Sequence, residues 1–177
     1  AIAQALRDYA NPGDRVLLAH EPGMAFIESF FGCLYAGMIA VPLAPPRSRD
    51  QIRVNNIAQD ANAQLILMHP DQIERWNTAE NPALSCLSSD ELANADGYVF
   101  YEQKNAGKTL AFLQYTSGTT GSPKGVMVRQ TELLTNLNQI RQTCDLDTSS
   151  IALNWLPLYH DMGLIGTLLT PIFTGFP

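Results

Sequence analysis

The chain is 177 residues long, 46% hydrophobic and 16% charged, a mixture that supports one compact domain with a real core and excludes a disordered segment. Its formal net charge is −6 and no basic stripe runs along it, which argues against nucleic acid as a partner. Cys33, Cys86 and Cys144 are odd in number and far apart, so they point to neither a zinc site nor a disulfide framework, and reduced thiols in the cytoplasm are the simplest account.

The opening AIAQALRDYANPGDR is broken by Gln4, Arg7 and Asp8 and is not a signal peptide. Apolar positions 2, 3, 5, 6 and 9 predict a helix over Ile2–Tyr9, closed by the turn Asn11-Pro12-Gly13-Asp14. A strand is expected at Val16–Ala19 and a helix over 22–36, with Pro22 in its first turn and Gly37 past its end. Met38–Leu43 reads as a buried strand stopped by Pro45-Pro46, 50–61 as an amphipathic helix and Gln64–Met68 as a strand. Asp71 followed by Glu74 resembles a capping box opening a further helix. The polar stretch 77–108 is the least regular and is expected to be a surface excursion. Strands follow at Leu110–Tyr115, Val126–Val128 and Ile151–Trp155, with a helix at Glu132–Thr143 and a partly helical Asp161–Phe173. The apolar runs do not make membrane spans: Glu28 interrupts one, and the last is short and holds Pro171. This alternation predicts an α/β fold, a layered and largely parallel sheet flanked by helices. The chain starts inside a helix without an initiator methionine and stops after an apolar run, which reads as a piece of a longer protein.

Between two of these strands lies Thr116-Ser117-Gly118-Thr119-Thr120-Gly121-Ser122-Pro123-Lys124-Gly125. Glycines let a backbone turn tightly and approach a ligand, successive N–H groups form an anion-binding nest, and hydroxyls and one ammonium add donors. A polyphosphate, whose oxygens need many donors at once, suits that set. The string is not a Walker A loop, because Ser122 and Pro123 separate Gly121 from Lys124. On composition alone, a solvated surface hairpin remains the competing reading. The second motif is Trp155–Gly166, WLPLYHDMGLIG. A neighbouring His160 and Asp161 are by themselves better explained by an exposed histidine beside an acid. A Ser-His-Asp hydrolase would need a G-x-S-x-G elbow, which is absent.

Taken whole, YTSGTTGSPKG resembles the phosphate-binding signature of the adenylate-forming superfamily of acyl-CoA synthetases, luciferases and adenylation domains. WLPLYHDMGLIG and the stretch GDRVLLAHEPGMAFIESFFGCLYAGMIAVPLAPPRSR resemble the fatty acyl-AMP ligases in particular. The resemblance covers nearly the whole chain and is weakest over 77–108. Thr119 stands where that subfamily usually has serine, which keeps the hydroxyl.

The resemblance implies that residues 1–177 are part of an N-terminal AMP-binding domain without its C-terminal domain. The whole enzyme would use ATP and Mg²⁺ to convert a fatty acid to acyl-AMP, then pass the acyl group to the phosphopantetheine thiol of an acyl carrier protein, often for polyketide or lipopeptide assembly. The alternatives are transfer to coenzyme A and a non-catalytic nucleotide- or lipid-binding module. Thr116, Ser117, Gly118, Thr119, Thr120, Gly121, Lys124 and Gly125 would hold the nucleotide phosphates. Lys124 and His160 would be catalytic, with His160, Asp161, Met162, Gly163 and Leu164 at the acyl substrate. For the last three, plain core packing weighs equally. The ribose-binding aspartate, the adenine- and metal-contacting aromatic-Gly-x-Thr-Glu motif and a mobile-domain lysine would lie downstream, so this segment alone would be inactive.

Overall fold

The structure, a computed structural model, describes residues 1–46, 50–76, 84–94, 109–116 and 123–177. Its helices are α1 (Ile2–Leu6), α2 (Met24–Ala36), α3 (Gln51–Ala61), α4 (Pro70–Ile73), α5 (Ser89–Ala93), α6 (Gln130–Thr143) and α7 (Thr170–Thr174), with a π-helical segment at Met162–Leu169. The strands are β1 (Arg15–Leu18), β2 (Ile39–Pro42), β3 (Leu65–Met68), β4 (Ser85–Ser88), β5 (Leu110–Thr116) and β6 (Lys124–Arg129). They form one six-stranded sheet in the order β4-β3-β1-β2-β5-β6, parallel throughout except for the antiparallel β5–β6 pair. The expected α/β class and largely parallel sheet are therefore present.

The continuous apolar runs in β1, β2, β3 and β5 follow from cover on both faces. Val16, Leu18, Leu65, Leu67 and Phe112 point into one core with α1, α2, α5 and α6. Leu17, Val41, Ile66, Met68, Leu113 and Tyr115 point into the other, against α3 and Trp76. The side on which each helix lies matches crossovers that all share one hand, as the handedness rule for parallel strands requires. The next strand after α2 and after α5 lies toward β6, and both helices cover the first face. The next strand after α3 and after α4 lies toward β4, and these cover the second. Phe30 on α2 anchors the first core, 6.1 Å from Phe26, 5.7 Å from Phe31 and 5.8 Å from Phe112 between ring centroids. Gly37 ends α2 at φ 80°, a left-handed position where a Cβ would be strained. Arg15 at the head of β1 clamps the end of α3, donating from Nε to Ala61 O (2.6 Å) and from a terminal nitrogen to Asn62 O (2.8 Å).

Four expectations are corrected. Ile151–Trp155 is not a strand: Ile151, Leu153 and Trp155 alternate as a strand would, yet they are 85%, 83% and 82% exposed and pair with no strand among the described residues. Alternation is a local property, whereas a strand needs a neighbour for its hydrogen bonds. The strand placed at Val126–Val128 runs from Lys124 to Arg129, so Lys124 and Gly125 belong to β6 rather than to the loop, and Thr116 belongs to β5. Within 77–108, Leu84–Asn94 supplies β4 and α5; the rest lies outside the described residues. The short helix near 71 is capped by His69, whose Nδ1 accepts the Asp71 N–H (3.4 Å) while Gln72 accepts the His69 N–H (3.3 Å), so the box is His69/Gln72.

Candidate functional site

Two features bring the sequence motifs together. The first is the β5–β6 hairpin, in which Tyr115 faces Gly125 and Thr116 faces Lys124. Residues 117–122, which hold Ser117, Gly118, Thr119, Thr120 and Gly121, lie outside the described residues. The hairpin nevertheless places Thr116 and Lys124 side by side at the two ends of that segment, both exposed. Tyr115 is the last buried residue of β5. Its hydroxyl donates to Asp60 Oδ2, and burial together with that hydrogen bond and the carboxylate's charge pushes its pKa up.

The second is a tether between the motifs. Gln114, almost buried in β5, donates from its side-chain amide to the carbonyl of Tyr159 at 2.9 Å. The segment carrying His160 is thereby held against the strand that precedes residues 117–122. His160 and Asp161 are both exposed, and His160 Nδ1 lies 2.5 Å from Asp161 Oδ1. That contact commits Nδ1 to the carboxylate and leaves Nε2 for a further partner. Asp161 Oδ1 also accepts the Met162 N–H (2.7 Å) at the start of the π-helical segment. A π-helix is uncommon and often marks a functional site. Here Thr167 and Thr170 hydroxyls donate to Gly163 O and Ile165 O, each at 2.8 Å, and so occupy two carbonyls of the widened coil.

The three residues after Asp161 separate. Met162 is exposed, whereas Leu164 is fully buried in the first core. Gly163 is buried against the turn before it: a Cβ there would lie 2.1 Å from Pro157 O and 2.8 Å from Pro157 C. The Pro157 carbonyl accepts the His160 N–H (3.1 Å), so Gly163 packs on the turn that presents His160.

Two features were not read from the sequence. A cleft of about 500 Å³ opens on the α3–α4 side, lined by Glu21, Pro45, Gln72, Arg75, Trp76 and Tyr159. It lies where β1, β2 and β3 end, the edge at which open α/β sheets bind ligands, and the indole N–H of Trp76 is buried without a partner among the described residues. Its residues come from separate segments of the chain, so no contiguous motif announces it. On the opposite face His20 is buried with neither ring nitrogen paired among the described residues. Burial lowers its pKa to about 4, with the nearby His69 adding to the lowering and Asp90 opposing it. Among the described residues no group of three His, Cys, Asp or Glu side chains could hold a metal ion. No helix there is long and apolar enough to cross a membrane.

The model of the AMP-binding enzyme family matches residues 1–177. Medium-chain fatty acid–acyl-carrier-protein ligase JamA of Moorena producens is 34% identical, with the match covering 100% of this chain and 32% of that protein. Long-chain fatty acid–AMP ligase FadD32 of Mycolicibacterium smegmatis is 33% identical over 97% of this chain and 28% of its own length. The crystal structure of the fatty acyl-adenylate ligase from L. pneumophila, in complex with acyl adenylate and pyrophosphate, superposes with a TM-score of 0.84 at 39% identity, over 99% of this chain and 31% of that one. The chain thus spans about a third of the length of the relatives it matches. With the hairpin, the tethered second motif and the doubly covered sheet all falling inside one family match, the chain belongs to the AMP-binding enzyme family.

Proposed function

We propose that this chain is the phosphate-binding and part of the acyl-binding portion of a fatty acyl-AMP ligase, within an N-terminal AMP-binding domain. In the whole protein a fatty acid carboxylate attacks the α-phosphorus of ATP. The bond from that phosphorus to the bridging oxygen breaks, pyrophosphate leaves, and acyl-AMP forms. The acyl group then passes to the phosphopantetheine thiol of an acyl carrier protein, in the cytoplasm.

The roles follow from chemistry. Thr116, Ser117, Gly118, Thr119, Thr120, Gly121 and Gly125 supply hydroxyl and backbone donors to the phosphates. Lys124 neutralises charge that grows on the departing pyrophosphate. Mg²⁺, when bound together with ATP, would add positive charge against the phosphate oxygens that these residues hold. His160, oriented by Asp161, holds the acyl carboxylate in line, and Met162 borders the chain. Gly163 and Leu164 support that wall from within. The observation that carries the reading is the Gln114–Tyr159 hydrogen bond, which keeps the second motif beside the strand entering the first.

Fatty-acid-dependent exchange of pyrophosphate into ATP by the full-length protein tests it. Lys124→Ala is expected to slow exchange by about 2–4 kcal/mol, roughly 30- to 1000-fold. Exchange that does not depend on fatty acid, or is untouched by Lys124→Ala, would overturn the reading.

A further inference from the structure

We propose that Tyr115 and Asp60 are positioning residues for Lys124, acting through the pairing of Tyr115 with Gly125. The inference rests on the phosphate role of Lys124 proposed above.

Tyr115 is joined to three elements at once. It lies in β5, pairs in register with Gly125 of β6, and donates its hydroxyl to Asp60 in the last turn of α3. Its ring also covers the face of Gly125, since a Cβ on that glycine would sit 2.9 Å from Tyr115 Cζ. The glycine is therefore needed for close approach of the ring to the β6 backbone, one residue from Lys124. The far end of the contact is rigid as well, because Arg15 holds the carbonyls of Ala61 and Asn62 immediately after Asp60. Beyond Tyr115 and Gly125 the hairpin leaves the core, and the next facing pair is Thr116 and Lys124.

A phenylalanine would fill the same apolar space. The hydroxyl adds only the bond to Asp60, which prevents the ring, and the β6 backbone beneath it, from sliding along α3. A phenol is protonated at physiological pH, and burial and the neighbouring carboxylate push its pKa further up, so the donor is always available. Asp60 is a poor choice for binding phosphate directly, because its negative charge repels an anion. That sign makes the positioning role testable.

The experiment measures ATP affinity by titration calorimetry in the full-length protein. Tyr115→Phe and Asp60→Ala are each expected to weaken ATP binding roughly tenfold, the scale of one lost hydrogen bond to a charged group. The double variant should be no weaker than either single one, and Asp60→Asn, which can still accept the hydrogen bond, should recover most of the loss. Tyr115→Phe combined with Lys124→Ala should bind no worse than Lys124→Ala alone. KM for the fatty acid should not move. Loss of an acidic charge by itself would strengthen anion binding, so weakening by Asp60→Ala reports geometry. A merely structural pair would lower the denaturation midpoint and leave ATP affinity at the wild-type value, which would overturn the inference while the proposed function stood. A wild-type protein that bound no ATP would overturn both.

Discussion

Replacing Gly163 by alanine adds one methyl group to the π-helical segment, and the structure specifies what it meets. The new Cβ would lie 2.1 Å from Pro157 O, 2.8 Å from Pro157 C and 3.3 Å from Leu156 O. Favourable contacts of carbon lie near about 3.5–4.0 Å, so the nearest is more than an ångström too close. All three atoms are backbone, so no side chain can rotate away. The expected cost is about 1–3 kcal/mol of folding stability, as for other overpacked sites. The displaced carbonyl is the one that accepts the His160 N–H, so the strain passes to the proposed acyl-carboxylate contact. A misplacement of about 1 Å there costs on the order of a hundredfold in rate. Gly166→Ala is the control, because its Cβ meets only the flexible end of Met162, at 3.2 Å. The assay is urea denaturation together with fatty-acid-dependent pyrophosphate exchange in the full-length protein. Gly166→Ala is expected to keep wild-type stability and to change exchange far less than Gly163→Ala. Equal behaviour of the two variants would refute the argument that Gly163 is required by space rather than by backbone conformation.

Two further outcomes follow from the core. His20 is a base whose folded-state pKa, about 4, lies below its unfolded value of 6.5, so the unfolded chain binds more protons between those values. Its contribution to stability is complete above pH 6.5 and is lost as pH falls toward 4, on the order of 3 kcal/mol in all; His20→Gln should flatten that part of a stability-versus-pH curve, and an unchanged slope would contradict the assignment. Phe30→Ala, which removes the ring joining α2 to β5, should cost about 3–5 kcal/mol in equilibrium denaturation, and a loss below 1 kcal/mol would show that the cavity collapses.

The parallel strands β1, β2, β3 and β5 were legible because burial on both faces demands unbroken apolar runs such as Leu65–Met68, whereas β4 (Ser85–Ser88), parallel but without such a run, was not. The segment 116–125 stood out for a different reason: a contiguous set of glycines, hydroxyls and one lysine has its meaning in its order. What required the tertiary structure was everything that depends on a partner distant in sequence. Ile151, Leu153 and Trp155 alternate like a strand, but whether they become one is decided by a neighbour's hydrogen-bonding groups, and the sheet ends at β6. Gly163 and Leu164 share a motif with Met162, yet one presses on Pro157, one fills the core and one faces outward, a division set by the π-helical winding. The bonds from Tyr115 to Asp60 and from Gln114 to Tyr159 join residues 55 and 45 positions apart, and local propensity carries no information about contacts at that separation.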